Sequence, residues 1–417
     1  MINRAHCAIW SWKCWKKGAN GRAAGWSNGS RKPPTVTAGF FPLSRREAHH
    51  RRKRVLTLRS VVGPVRLEVE HGQDPQDKHW GCPIREQWGL SAHQQMSPAL
   101  EQKLAFTATM VGSYEAAAQE AANWNCPVDD SVIHALVQRL GSKAEAQTQA
   151  RLQQAPPESQ PQRRPSELAL LMVDGWFARF RGPGWGKPRT RKERVEWHEI
   201  KNGVFYLHEQ SARTEGGRGV LTDKVVVRTQ GDPTDLGQRL HWEALRGGLG
   251  RARQTLVLGD GIAWIWHLKA QRWPEARELL DFWHGSQHLW NLGQACHGRD
   301  EAKAREWVEP RLHRLAHGRE QKVLREIRAL RSSRSQAGEM VRKEQNYFAG
   351  QSGRMNYKEI ADHGWPVGSG PVESSCRQDQ RRFKGPGQSW TRKGFANLSA
   401  LDQARRNNHW DELWLSA

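Results

Sequence analysis

Three acidic residues, Asp174, Asp260 and Glu373, have the types and settings for metal-assisted chemistry. Asp174 follows the apolar run LALLMV and Asp260 follows TLVLG, and a glycine comes after each. The end of a buried strand is where α/β sheets place functional side chains. Either acid alone would read as an ordinary Asp-Gly turn. Glu373 sits just past a Gly-Ser-Gly turn in PVGSGPVESSCRQDQRR (366–382), where a basic helix is expected to begin with Ser369 as its cap. Three carboxylates on separate elements of one sheet suit two Mg²⁺ ions, with Mn²⁺ as a substitute. Two such ions activate an attacking oxygen and stabilise a leaving one in phosphodiester chemistry. A glycosidase would need only two acids.

The charge balance points to the same substrate class. The 417-residue chain has 65 Lys and Arg against 43 Asp and Glu, for a formal net charge of +22. Such a surplus fits a polyanionic partner, and nucleic acid is the usual one. The first 66 residues carry fifteen Lys or Arg and one acid, Glu47, so the excess is concentrated there. Six cysteines without a C-x-x-C pair argue against a disulfide framework or a structural zinc site and favour a reducing cytosol. No apolar run is long enough to span a membrane, and no signal-peptide pattern is expected. A soluble cytoplasmic, nucleoid-associated protein is therefore expected.

The positioning elements are readable in order. Residues 1–53 read as a disordered basic arm ending in HHRRKR. VLTLRSVVGPVRLEVE alternates about Gly63-Pro64 as a β-hairpin. Residues 98–140 read as three helices, the last two with helix-turn-helix dimensions, which makes 54–140 a DNA-binding module. The third, Asp130 to Leu140, is expected to present Ser131, His134 and Gln138 to DNA, although plain helical packing gives the same pattern. Residues 141–166 begin as a polar helix and become a Pro/Gln linker, where a domain boundary is placed. Beyond it, strands are expected at 168–180, 196–210, 224–230, 255–261 and 277–284, with helices between the later ones. Three strands in succession, then helix–strand alternation, predict an α/β domain with a mixed sheet. Basic helical sequence fills 299 to about 346.

MVDGW, LGDGIAWIW, LLDFWHGSQHLW, NYFAGQSGRMNY, PVGSGPVESSCR and the closing SW…HWDELW together resemble bacterial insertion-sequence transposases. The nearest group is the Kra-type family, related to the Mutator-like transposases, and the resemblance runs from about 168 to 414. It implies an RNase H-like α/β catalytic domain (167–417) with a DDE triad of Asp174, Asp260 and Glu373. A helical insertion at about 299–362 would precede the final acid. The resemblance also implies a role for a Cys-or-Asp-x-x-His motif, here Asp281-Phe-Trp-His284, in orienting the scissile phosphate or a water; a core histidine is the competing reading. His288 lies one turn further on, and zinc with Asp281 or Cys296 lacks an obvious fourth ligand. The family's paired N-terminal cysteines are absent, and Cys82 stands alone.

The expected activity is DNA transposition: metal-dependent strand cleavage at the element ends, then attack of the freed 3′-hydroxyl on target DNA. Arg377, Arg381, Arg382 and Lys384 are expected to line the DNA path. Partners would be the terminal inverted repeats, target DNA and further copies of the chain when ends are synapsed. Two alternatives stand beside it: an RNase H-like nuclease without strand transfer, and a DNA-binding regulator derived from an inactive transposase.

Overall fold

The alternating sequence about Gly63-Pro64 forms a hairpin because Leu58, Leu67 and Val69 fall on its buried face while Arg66, Glu68 and Glu70 stay partly exposed. The computed structural model describes residues 35–36, 49–73, 94–154, 165–187, 194–216, 219–298 and 300–414, with scattered positions between 78 and 91. Strand β1 (Thr35–Val36) runs parallel to β3 (Gly63–Gln73), which is flanked on its other side by β2 (His49–Ser60) and joined by β4 (Trp80–Gly81). The ladder recruits His49 to Lys53, residues expected in the basic arm; apart from 35–36, the rest of that arm lies outside the described residues. The described residues fall into two compact units, one within 1–58 and 64–88, the other comprising 59–63 and 89–417.

Helices α1 (Pro98–Met110) and α2 (Tyr114–Asn123) start where expected, each capped by a serine hydroxyl accepting a backbone N–H, Ser97 from Leu100 and Ser113 from Ala116. Helix α3 (Asp130–Leu152) does not stop near Leu140. Its apolar stripe continues through Gly141 and Ala144, and a Cβ on Gly141 would come within 2.1 Å of the Asn397 carbonyl oxygen. Lys143 Nζ donates to the Leu413 carbonyl at 2.7 Å, and Arg151 pairs with Glu412 at 2.6 Å. Tertiary packing therefore extends the helix through the expected boundary, and α1–α3 lie in the same unit as the sheet that follows. Residues 155–164 of the expected linker lie outside the described residues.

That sheet is built from β5 (Ser166–Arg181), β6 (Val195–Leu207), β9 (Val225–Thr229), β10 (Ala252–Gly259) and β11 (Arg277–Leu280), with a separate small ribbon of β7 (Ser211–Arg213) and β8 (Gly219–Leu221). Its order is β11-β10-β5-β6-β9; β10 is parallel to both its neighbours, and β6 is antiparallel to both of its own. The sheet is mixed, as the element order predicts. Leu168, Leu170 and Met172 point to one face and Ala169, Leu171 and Val173 to the other, where α4 (Pro233–Gly247) and α5 (Ala263–Arg272) cover them. Burial on both faces explains the uninterrupted apolar run.

Helix α6 (Phe282–His297) follows β11, and α7 (Glu301–Ala316), α8 (Glu320–Arg328), α9 (Gln336–Gly350) and α10 (Tyr357–Asp362) fill the expected insertion. The chain then reaches α11 (Gly370–Phe383) and α12 (Arg392–Arg406), which pack on the first face of the sheet through Val372, Cys376, Phe383, Phe395 and Leu398.

Candidate active site

The register of the parallel strands builds the site. Val173 of β5 pairs with Gly259 of β10, and Gly259 pairs with Leu280 of β11. The residue after each of these is an aspartate, so Asp174, Asp260 and Asp281 form one row at the level where β10 and β11 end. Asp174 shares a face with Met172 and Trp176, the face that α11 covers. It is not at a strand end, however: β5 continues to Arg181, with Asp174 paired to Asn202 of β6. What ends at Val173 is the parallel pairing with β10.

Asp281 is fully buried and braces two elements. Its Oδ1 accepts the His284 N–H at 2.8 Å, capping α6, and its Oδ2 accepts the Ser369 N–H. That cap corrects the expected strand at 277–284: the strand stops at Leu280, and His284 lies in the first turn of a helix. The second bond ties the Gly-Ser-Gly turn to the strand end. Ser369 occupies the cap position of α11 without making a side-chain cap bond; its hydroxyl instead donates to Glu373 Oε1 at 3.2 Å. Neither Gly368 nor Gly370 adopts positive φ, so the turn does not need glycine for backbone conformation. Ligand atoms of Asp281, His284 and Glu373 all lie within 4.8 Å of one another. Asp174, Asp260 and Glu373, the expected triad, do not form such a group among the described residues; Asp174 and Asp260 both lie within electrostatic reach of His284.

Burial raises the Asp174 carboxyl above the usual carboxylate range, the Asp260 charge adds to that, and the Gly175 N–H and His284 offset part of it. Asp260 is raised for the same first reason, opposed mainly by the Ile262 N–H at 3.0 Å and by His284. No Lys or Arg pairs with either aspartate among the described residues. Two half-buried carboxylates held together without a cation form an anionic niche of oxygen donors, which fits a hard divalent cation. Asp281, His288 and Cys296 form no metal-holding group among the described residues: His288 Nδ1 lies 2.6 Å from Glu344 Oε2, and Cys296 is exposed on the last turn of α6.

Several supporting residues were not singled out from the sequence. Tyr347 Oη donates to the Asp260 carbonyl at 2.8 Å, and Gln351 Nε2 donates to the Gly261 carbonyl at 2.9 Å. Gly261 has φ +97°, and a Cβ there would press on the Tyr347 hydroxyl at 2.7 Å. Burial, with the Asp260 and Glu344 charges, keeps the phenol protonated as a donor, and its ring stacks on His288 at 3.5 Å. Cys376, held protonated by burial and the Asp174 charge, donates to Asp174. Tyr347 and Gln351 lie in the NYFAGQSGRMNY segment, which marked a motif without showing which side chains point inward.

The orientation of α11 is fixed by buried charge. Asp379 pairs with Arg228 and, at 2.8 Å, with Arg406, and it accepts from Asn202. Arg228 also binds Asp402 of α12 at 2.9 Å. With Val372, Cys376 and Asp379 turned inward, Glu373 is left half-buried at the edge. Arg377 is exposed and lies 3.4 Å from Glu373; Arg381 and Lys384 are exposed. Arg382 does not line a DNA path: it is buried and donates to the carbonyls of Ala108 and Gly112. A helix shows residues 100° apart, so adjacent arginines at 381 and 382 face differently. Ser131 and His134 are exposed on α3, His134 resting edge-on against Tyr114. Gln138 is partly buried and accepts from Asn397 Nδ2 at 2.8 Å, because the extended α3 packs on α12 there.

No helix among the described residues is long and apolar enough to cross a membrane. The model of the uncharacterised protein family UPF0236 matches residues 44–410, up to the closing His409-Trp410. No curated protein matches the chain.

Proposed function

The chain belongs to the uncharacterised protein family UPF0236, and from that starting point we propose that it is a DDE transposase of an insertion sequence with an RNase H-like catalytic domain. The observation that carries this reading is the aspartate row: register aligns Asp174 with Asp260, and Asp281 ties in the turn that delivers Glu373. A mixed five-stranded sheet with helices on both faces supports the fold assignment. The net charge of +22 supports a DNA substrate.

Asp174 and Asp260 would hold Mg²⁺ from the sheet, and Glu373 would complete the set from α11. When bound, the metal supplies positive charge that stabilises the attacking and leaving oxygens of phosphodiester transfer. His284, one cap bond from Asp281, stands where it can orient a phosphate oxygen or a water. The clamp from Tyr347 and Gln351 holds the Asp260–Gly261 backbone so that the carboxylate is pre-positioned.

The test is incubation of the full chain with duplex DNA carrying the element ends and a target plasmid, with Mg²⁺ or Mn²⁺. Cleavage at the end followed by joining of the 3′ strand to the target is the expected result. Asp260→Asn should abolish both while leaving DNA binding close to wild type, since it removes a metal ligand and not a phosphate contact. Cleavage without joining would favour a nuclease, and binding without cleavage in either metal would favour a regulator.

A further inference from the structure

Beyond Val173 and Lys201, β5 and β6 outrun their neighbours and continue as a two-stranded hairpin. One face, with Trp176, Ala178 and Phe180, is buried under α11 and α12. Alternation sends Phe177, Arg179 and Arg181 to the other face, beside Trp197, which pairs with Arg179 in the β5–β6 register. Among the described residues no helix covers that face: Phe177 is 54% exposed and Trp197 52%. The exposed tryptophan is flanked by cations. The Arg179 guanidinium lies 6.0 Å from its ring centroid and Lys384 Nζ lies 5.4 Å from it, while Arg181 stands 5.2 Å from the exposed Trp185 ring.

A sheet face that leaves large aromatics in water, with arginine and lysine beside its tryptophans and its Glu199 already paired with Lys201 at 3.0 Å, matches neither a core nor a plain solvated surface. Aromatic platforms with adjacent cations are how proteins hold unpaired bases: the ring stacks on the base while the cations meet the phosphates on either side. We propose that this hairpin face binds unpaired nucleotides of the DNA, with Trp197 as the stacking platform and Arg179 and Lys384 as its phosphate contacts. Arg179 lies five residues past Asp174 along one strand, about 17 Å at roughly 3.3 Å per residue. The platform therefore takes bases several nucleotides from the bond being broken. The charge of the face selects a polyanion over a second copy of this strongly basic chain.

The inference rests on the DNA-processing reading, and the experiment separates the two. Full-length protein, wild type and Trp197→Ala, Trp197→Phe and Arg179→Ala, is titrated with a blunt duplex and with the same duplex bearing a short single-stranded overhang. The overhang carries 2-aminopurine, whose fluorescence is quenched on stacking. Wild type should prefer the overhang and quench the probe. Trp197→Ala should lose about tenfold in overhang affinity with little change on the blunt duplex, and Trp197→Phe should retain most of it. Arg179→Ala should weaken overhang binding and flatten its salt dependence. Equal affinity of wild type and Trp197→Ala for the overhang, with no quenching, overturns the platform while leaving the transposase reading standing. If wild type binds neither DNA, the transposase reading fails with it. A change of oligomeric state in Trp197→Ala by sedimentation, with overhang affinity intact, also overturns the platform and assigns the face to self-association.

Discussion

At the scale of single residues, the site holds carboxylates whose protonation is set first by burial and then by neighbouring charge. Asp174 and Asp260 have pKa values raised above the ordinary range. An acid raised in the folded state binds more protons there than in the unfolded chain, so stability falls as pH rises through the interval between the ordinary and the raised value. In the absence of divalent metal, Asp174→Asn or Asp260→Asn is therefore expected to raise Tm at neutral pH. Mg²⁺ should raise the Tm of the wild type, by about 2.7 kcal/mol of stability at a hundred times its Kd, and should do so far less for either variant. Thermal unfolding with and without Mg²⁺ checks both signs; a wild type indifferent to Mg²⁺ would count against the metal site. Cleavage by the wild type should fade on acidification earlier than an unperturbed carboxylate would dictate, because protonation competes with the metal.

At the scale of elements, the helix bearing Glu373 is held by charges that never reach solvent. Arg228 is buried and joins Asp379 of α11 to Asp402 of α12. Arg228→Met would take one cation from two buried carboxylates that keep Arg406 and Arg405, and a loss near the lower end of about 3–5 kcal/mol is expected in chemical denaturation. Removing Arg377, which is exposed and, among the described residues, pairs with Glu373 alone, should move stability by less than about 1 kcal/mol. The insertion acts on the site through α9. Tyr347→Phe removes one hydrogen bond to the Asp260 carbonyl, a net cost of about 0.5–1.5 kcal/mol in stability. Its more telling readout is Mg²⁺ affinity by calorimetry, which should weaken if the clamp pre-positions Asp260 and stay unchanged if Tyr347 is only packing.

At the scale of the whole molecule, charge and packing make different demands on where DNA is read. Residues 1–48 carry nine Lys or Arg and one acid. Their deletion should lower DNA affinity and reduce its salt slope, by about 0.9 for each phosphate no longer neutralised, while leaving any preference for element ends unchanged. Competition between terminal-repeat and random duplex at two salt concentrations measures both. Disappearance of the preference together with the slope would place end recognition in the arm. Recognition by α3 has to be tested in the full chain, not in a fragment of 1–150, because α3 packs along α12 through Gly141 and Gln138. Ser131 and His134 remain exposed for that purpose, and changing both together should erase the preference if α3 reads bases.

The sequence by itself determined which residues are apolar and at what period, and that was enough for the hairpin, the strands and most helices. It also placed Asp174 and Asp260 beyond buried runs, Glu373 in the first turn of a helix, and a large positive charge on the chain. Only the tertiary structure decided that Val173, Gly259 and Leu280 share one register, which turns three separate aspartates into a row. Pairing between strands as distant in sequence as those of Val173 and Gly259 depends on which faces are buried together, and no local pattern encodes it. The same holds for direction. Arg382 and Gln138 read as surface residues in their own segments, and each turns inward because a distant helix supplies its partner. Asp281 read as an acid of the last expected strand; it became a cap and a brace once α6 and the Gly-Ser-Gly turn met at its two oxygens. The long α3 has the same cause, since a polar, weakly periodic sequence stays helical where another helix covers it.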